Sequence, residues 1–200
     1  MREFVYYSKN AVTAGNFIKD DLMKAGRMDI VCNVIIQTFY ISNDIRKDVK
    51  LHLIFDGAPN PPVHILLDSS KFEHGKEDSV SISKKNVVGL IKKLLYKCPR
   101  EIGNVVEVFN GCFVEKKSLE SLLKELDVEG NVFLLDENGK DIRDFKFKGN
   151  EIFVLGDHEG FPASKKKFLK RIDTISVSPK ILFASQVVVL VNNEIDRQKI

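Results

Sequence analysis

Hydrophobic and polar positions along the chain change repeatedly between a period of two and a period near 3.6, which predicts alternating strands and helices. Short apolar runs rich in β-branched and aromatic residues predict strands. They are residues 2–8, 51–55, 63–68, 104–114, 131–135, 152–155 and 173–178. Longer amphipathic segments predict helices. They are residues 28–39, 83–98, 118–127 and 164–172.

The last apolar run, residues 179–196, fits a helix that packs on a sheet, but its high β-branched content leaves helix and strand both open. Alternation of strands and helices is typical of an α/β sandwich, in which helices cover a mostly parallel sheet. The chain has no internal repeat and no low-complexity linker. We therefore expect residues 1–200 to form a single domain.

Local signals mark several element ends. Ser83 and Ser118 stand where they can cap the helices that follow them. The polar residues 69–81 predict an exposed loop. Asn138-Gly139 is the strongest short-range turn signal in the chain, and it predicts a tight turn after the strand at 131–135.

Composition narrows the classes of protein. Of 200 residues, 44% are hydrophobic and 30% are charged, which is enough apolar material for a packed core. The net charge of +3 is compatible with a polyanionic partner without establishing one. Three scattered cysteines and four dispersed histidines predict reduced thiols and no structural metal site. No apolar run reaches the ~18 residues of a membrane span, so we expect a cytoplasmic protein.

The segment LGDHEG ends the strand at 152–155, and its two glycines, Gly156 and Gly160, bracket three polar side chains. It lacks the Lys-Ser/Thr of a P-loop and the G-x-G-x-x-G of a dinucleotide site. Adjacent polar side chains on one turn do not converge on a metal ion. An ordinary strand-to-helix turn, with Asp157 or Glu159 near the helix N-terminus, remains an alternative.

Two further strand ends strengthen the case for a ligand. SVSP follows the strand that begins at Asp173, and DENG follows the strand at 131–135. In open α/β sheets, ligands bind beyond the carboxyl ends of the strands. Three such loops predict a cofactor site built largely from main-chain groups.

Several separated motifs together resemble the TrmY family of SPOUT methyltransferases. They are GDHEGF, ISVSPKILFASQ, VLVNNEIDR, FDGAPNPP and NDIRKDV, and the similarity runs from MREFVYYS to NNEIDR. The resemblance implies methylation of N1 of pseudouridine 54 in tRNA, with S-adenosylmethionine (SAM) as the methyl donor. It also implies a homodimer and a SPOUT fold with a C-terminal trefoil knot.

Matching the family motifs residue by residue implies a set of cofactor-binding positions. They are Leu135, Gly156, Val177, Ser178, Pro179, Lys180, Ile181, Leu182 and Val187. The family has a cysteine at the position of Val187. If that cysteine only packs against the cofactor, valine is a close replacement in size. If it takes part in the chemistry, this protein has a different mechanism or a reduced activity.

For the acceptor base, the candidate general base is Asp56 in FDGAPNPP, because the N1 proton of pseudouridine must be removed. The alternative is that Asp56 only initiates a turn. Arg27, Arg46 and Lys47 are the predicted phosphate contacts, and the target base would be turned out of its stack. Two other functions stay open: methylation of pseudouridine in small-subunit ribosomal RNA, and non-catalytic binding of RNA or cofactor.

Overall fold

A computed structural model of the protein describes residues 1–72, 83–126 and 131–198. The strands are β1 (Arg2–Ser8), β2 (Tyr40–Ile41), β3 (Asp44–Ile45), β4 (Val49–Phe55), β5 (Val63–Asp68), β6 (Val105–Phe109), β7 (Cys112–Glu115), β8 (Val132–Asp141), β9 (Ile152–Gly156) and β10 (Asp173–Ser176). The helices are α1 (Met28–Phe39), α2 (Lys84–Tyr96), α3 (Leu119–Leu126), α4 (Ala163–Leu169) and α5 (Ala184–Gln198).

The central sheet has the strand order β10-β8-β9-β1-β4-β5-β7-β6. The five strands from β10 to β4 are parallel to one another, whereas β5, β7 and β6 continue the sheet in antiparallel pairs. The predicted α/β fold with a mostly parallel sheet is therefore confirmed. Because β9, β1 and β4 run in the same direction, their last residues, Gly156, Ser8 and Phe55, lie at one edge of the sheet, here called the carboxyl edge.

The two faces of the sheet are covered by different helices. Phe4 and Tyr6 of β1 pack in the larger core with α1, α2 and α5. Val5 and Tyr7, which alternate with them, pack in a second core with α3 and α4. Each fully buried large apolar side chain contributes about 1.5–3 kcal/mol relative to exposure. Both faces of β1 are stabilised in this way, as expected for a central parallel strand.

The predicted helix ends are largely confirmed. Ser83 Oγ accepts a hydrogen bond from the Asn86 amide at 3.1 Å, and Ser118 Oγ accepts one from the Ser121 amide at 3.2 Å. The last apolar run forms α5, whose buried Val188, Val191 and Ile195 recur at helical spacing. Packing of this face on α1 decides between the two structures that its β-branched content had left open.

The prediction of a tight turn at Asn138-Gly139 is wrong. β8 continues through both residues to Asp141, and Gly139 does not have a positive φ. A Cβ at Gly139 would lie 2.6 Å from the carbonyl carbon of Ile175, so this glycine allows β10 to approach closely. In the pairing with β10, Leu134 lies opposite Thr174 and Lys140 lies opposite Ile175, which leaves residues 135–139 as an irregularity that faces the carboxyl edge.

The Asn-Gly turn of this chain is found at Asn110-Gly111 instead. Gly111 has a φ of 78° and connects β6 to β7. Residues 104–114, expected to form one strand, are therefore an antiparallel hairpin. Of the predicted polar loop 69–81, the first three residues form a short 3-10 turn and residues 73–81 lie outside the described part. Among the described helices, none has the length and apolar content needed to cross a membrane.

Candidate active site

A cleft of about 360 Å³ opens at the carboxyl edge, between the ends of β8 and β9, the loop after β10 and the first turn of α5. Its volume is in the range of small-molecule sites. Apolar side chains, among them Leu134, Leu155 and Ile175, form part of the wall. Loops 156–161 and 177–182 supply much of the rest. The prediction of a site at strand ends thus has a matching cavity.

The loop LGDHEG is held by Asp157. The Asp157 carbonyl oxygen accepts a hydrogen bond from the Gly160 amide, and its Oδ1 accepts one from the Glu159 amide, both at 2.9 Å. Its Oδ2 accepts a 2.8 Å hydrogen bond from Ser8 Oγ of β1. Asp157 is only 8% exposed, so it shapes the loop and does not reach into solvent.

The segment LGDHEG does connect a strand, β9, to a helix, α4, as the alternative expected, but neither Asp157 nor Glu159 caps that helix. α4 begins at Ala163, and its N-cap is Pro162, with no side-chain cap hydrogen bond. Gly160 has a φ of 67°, a left-handed conformation that favours glycine. A Cβ at Gly156 would lie 3.0 Å from Gly160 Cα, so the loop folds back over Gly156 as closely as glycine permits.

The loop after β10 is ordered by its serines. Ser176 Oγ donates a 2.9 Å hydrogen bond to the Ser178 carbonyl, and Ser178 Oγ accepts one from the Lys180 amide at 3.1 Å. The Phe183 amide donates to the Gln186 side chain at 3.0 Å, which caps α5. These local bonds hold residues 177–183 across the mouth of the cleft.

Eight of the nine predicted cofactor positions line this one cleft; only Pro179 does not, and it is exposed. Val187 lies on the cleft wall, is partly buried, and packs against the larger core. Sequence reasoning missed the acidic side chains of Asp136 and Glu137, which line the cleft from the irregular part of β8. The signal that could have found them is their position, because they directly follow an apolar strand, where ligands of α/β sheets bind.

Asp56, the predicted general base, lies at the same edge, immediately after β4. Its Oδ2 accepts a 2.9 Å hydrogen bond from Tyr7 Oη and lies 3.7 Å from Lys165 Nζ. Within the described residues its Oδ1 has no hydrogen-bond partner, and the carboxylate makes no bond to its own loop. The turn-initiating alternative therefore finds no support in its contacts.

The loop that carries Asp56 is tied to the loop after β1. The Gly57 amide donates to the Ala11 carbonyl at 3.1 Å, and Thr13 Oγ1 donates to the Gly57 carbonyl at 2.9 Å. A Cβ at Gly57 would lie 2.4 Å from the Ala11 oxygen, so only glycine allows the two backbones to approach this closely. Asp56 is thus fixed by β1 as well as by β4.

Tyr7 connects Asp56 to the cleft. Its ring stacks on Phe161, which lines the cleft, with ring centroids 5.5 Å apart. Burial, followed by the bond to Asp56, raises the pKa of Tyr7, so the phenol remains a donor at neutral pH. Lys165 also binds Glu120 of α3 at 2.8 Å. Burial is the largest single influence and opposes ionisation of Glu120, but the bond and charge of Lys165, together with hydrogen bonds from the Glu120 amide and from Ser118, outweigh it, and the pKa of Glu120 is lowered.

The three predicted phosphate contacts already have partners inside the chain. Arg27 Nε lies 3.0 Å from an Asp29 carboxylate oxygen. Arg46 binds Asp196 of α5 at 2.7 Å, and Lys47 donates a 2.8 Å hydrogen bond to the Phe72 carbonyl. β4 separates Arg46 and Lys47 from Asp56, and its 7 residues at about 3.3 Å each span roughly 20 Å. Their role in RNA binding stays a prediction.

The described residues contain no group of three or more His, Cys, Asp or Glu side chains placed to hold a metal ion.

Comparison with known proteins places the chain in a family. A family model described as SAM-dependent RNA methyltransferase matches residues 1–200. A protein of Methanococcoides burtonii named tRNA (pseudouridine(54)-N(1))-methyltransferase is 37% identical over 202 residues, which cover 98% of this chain and 96% of that protein. A protein of the same name from Methanocaldococcus jannaschii is 31% identical over 208 residues, covering 100% of this chain and 98% of the other.

Among solved structures, the chain is similar to Archaeoglobus fulgidus Nep1 bound to S-adenosylhomocysteine, with a TM-score of 0.61 and 15% identity. The similarity covers 98% of this chain and 97% of Nep1, and at that identity it concerns the fold. The family model and the curated relatives extend over the same full length. The chain belongs to the family of SAM-dependent RNA methyltransferases.

Proposed function

We propose that the protein transfers the methyl group of SAM to N1 of pseudouridine 54 in tRNA. The observation that carries this proposal is the arrangement of the carboxyl edge, where a cofactor-sized cleft and the Asp56 carboxylate are joined through Phe161 and Tyr7. The names of relatives at 31–37% identity over nearly their full length support tRNA as the substrate.

The residues of the cleft fit the chemistry of SAM. Apolar side chains such as Ile175, Leu182 and Val187 suit the faces of an adenine ring. The carboxylates of Asp136 and Glu137 can accept hydrogen bonds from the ribose hydroxyls and the ammonium group of SAM. Gly156 lets the loop at 157–161 pack closely against the end of β9, which keeps Phe161 on the wall of the cleft.

When bound, SAM would supply an electrophilic methyl group: the N1–carbon bond would form as the carbon–sulfur bond breaks, and the sulfur would leave as the thioether of S-adenosylhomocysteine. The proton of N1 must then pass to a base. Asp56 fits this role because Tyr7 and Lys165 hold its Oδ2 and leave Oδ1 able to accept. The chain's main contribution is position, since in-line displacement depends on the alignment of the reacting atoms.

We further propose that residues 1–200 act as one SPOUT domain with a C-terminal trefoil knot, working as a cytoplasmic homodimer. The exposed apolar side chains of Val189 and Leu190 on α5, and of Ile181 and Phe183 beside the cleft, support a contact with a second copy. Sedimentation or light scattering measures the oligomeric state directly, and a monomer at micromolar concentration would contradict the dimer.

Methylation of defined RNAs tests the proposed function. A tRNA transcript with pseudouridine at position 54 is incubated with the protein and SAM, and its nucleosides are analysed by mass spectrometry. N1-methylpseudouridine should form, and a matched transcript with uridine at position 54 should stay unmodified at that position. Methylation of a small-subunit ribosomal RNA fragment in place of tRNA would overturn the assignment. Loss of the modification from tRNA of cells lacking the gene gives the same answer in vivo.

A further inference from the structure

One short segment concentrates the positive charge of the chain. Residues 163–172 contain five Lys or Arg residues and no acidic residue. The whole chain has 31 Lys and Arg against 28 Asp and Glu; without these five, 26 basic residues remain, fewer than the acidic ones. This segment is the denser of two basic segments, since residues 84–97 also contain five lysines and no acidic residue but spread them over 14 positions.

The structure divides the five cations of residues 163–172 into two groups. Lys165 is partly buried and occupied by Glu120 and Asp56. The other four, Lys166, Lys167, Lys170 and Arg171, are exposed, and in the described part of the chain none of them has an ion pair or a side-chain hydrogen bond. We call these four residues the α4 strip.

The α4 strip starts at the active site. Lys166 lines the cofactor cleft, and Lys170 lies one helical turn beyond it, about 6 Å along the axis. The opposite side of α4 is fixed, because Leu169 is buried in the second core and Phe168 packs against it. The cations are thus presented on a rigid surface that begins where the methyl group would be transferred. Lysines on a helix often form only a solvated face, but here one of them, Lys166, lines the cleft.

We propose that the α4 strip binds the phosphates of tRNA next to the target nucleotide, an inference that rests on the function proposed above. A polyanion is the partner that four unpaired cations fit, since each phosphate neutralised releases counterions and adds to the affinity. Contacts of this kind set affinity and register, while the pocket selects the base. Arg46 and Lys47 lie before the first residue of β4, at the end of that strand opposite Asp56.

The test compares two double variants with equal loss of charge. Lys167→Gln/Lys170→Gln removes two cations of the α4 strip but leaves Lys166 at the cleft. Lys84→Gln/Lys85→Gln removes two exposed lysines from the first turn of α2, which covers the other face of the sheet. Affinity for a pseudouridine-54 tRNA transcript is measured from 50 to 300 mM salt. S-adenosylhomocysteine binding by calorimetry checks that each variant is folded.

We expect the strip variant to bind tRNA at least about tenfold more weakly, with a salt slope smaller by about 1.5, while its kcat at saturating tRNA stays within about twofold. The α2 variant should stay within about twofold of wild type in affinity. If the wild type methylates tRNA and the strip variant binds tRNA as tightly as the wild type, the proposed role of the α4 strip is wrong but the proposed function stands. A wild type that neither binds nor methylates tRNA overturns the proposed function and the strip together.

Discussion

Tyr7 Oη donates a 2.9 Å hydrogen bond to Oδ2 of Asp56, which joins the ends of two neighbouring parallel strands, β1 and β4. The bond fixes the rotation of the carboxylate and leaves Oδ1 without a partner among the described residues. Because Tyr7 also stacks on Phe161, a chain of contacts connects Asp56 to the wall of the cleft proposed for the cofactor. Substitutions of Asp56 and of Tyr7 can therefore test the roles of these two side chains separately.

Replacing Asp56 by Asn should abolish most of the chemistry without loss of fold. The amide oxygen can still accept from Tyr7, but the group no longer takes up a proton at neutral pH. We expect single-turnover methylation to fall roughly 10²-fold or more, with S-adenosylhomocysteine affinity unchanged. Asp56→Ala should show the same loss plus reduced stability. Near-normal methylation by the Asn variant at saturating RNA would remove Asp56 from the mechanism.

Replacing Tyr7 by Phe should have a smaller effect of the same kind. The ring and its stacking on Phe161 remain, and only the hydroxyl that orients Asp56 is lost. A bond to a charged group is worth about 1.5–3 kcal/mol, so we expect a decrease in kcat of about tenfold and little change in the KM for tRNA. Combining both substitutions tests the coupling: the double variant should be about as slow as Asp56→Asn alone. Strictly additive losses would show that Tyr7 acts independently of Asp56.

Gly156→Val should weaken cofactor binding by at least about tenfold. Its Cβ would lie 3.0 Å from Gly160 Cα and 3.1 Å from the Gly160 carbonyl carbon, so the loop over the cleft must shift. Gly89→Ala is the matched control, because a Cβ at this α2 position meets nothing within 4 Å. It should leave binding unchanged and stabilise the helix by up to about 1 kcal/mol. Calorimetry with S-adenosylhomocysteine measures the affinity of both variants. Wild-type affinity in Gly156→Val would contradict the assignment of this cleft to the cofactor.

Val187→Cys tests whether this position reacts or packs. Val187 lies on the cleft wall and contacts the larger core, and a thiol of similar volume should fit there. We expect turnover to change by less than tenfold, which corresponds to about 1.4 kcal/mol in barrier height. A larger gain in single-turnover rate would mean that the family cysteine contributes to chemistry that valine cannot supply.

A buried histidine pair makes stability depend on pH. His52 Nδ1 lies 3.0 Å from His64 Nε2, and the outer ring nitrogens contact Glu3 at 3.0 Å and Glu115 at 2.9 Å. Burial lowers the pKa of His64 from 6.5 to about 4, and the bond from His64 lowers the pKa of Glu115 to about 2. On acidification, the unfolded chain gains protons at both sites before the folded protein does. Stability should therefore fall as the pH drops from about 6.5.

Denaturant unfolding between pH 7.5 and 4 measures this loss, which for His64 alone amounts to at most about 3 kcal/mol. His64→Phe should be less stable at pH 7.5 but should lose much of the slope between pH 6.5 and 4, since Glu115 keeps its bond to Lys117. His158→Gln, at the cleft rim, should keep the wild-type slope. The same slope in His64→Phe as in wild type would place the titration elsewhere.

The sequence by itself determined the elements whose signals are local. The periodicity of α1 and α2, the capping serines and the glycine-bracketed end of β9 all predicted what the structure contains, because each depends on neighbours within a few residues. The motif resemblance additionally indicated eight residues that share one cleft, although periodicity alone would not have grouped them. Local chemistry also predicted an Asn-Gly turn.

Only the tertiary structure decided which Asn-Gly dipeptide turns. Asn110-Gly111 joins two strands, whereas Gly139 admits the backbone of Ile175, and the two dipeptides are identical in sequence. It also brought Asp56 to Tyr7 and Lys165, since the neighbours of β1 in the sheet come from distant parts of the chain. Tyr7 is read from the sequence as one more core residue of a strand. The role proposed for it rests on contacts with residues about 50 and 150 positions away, which no local pattern encodes.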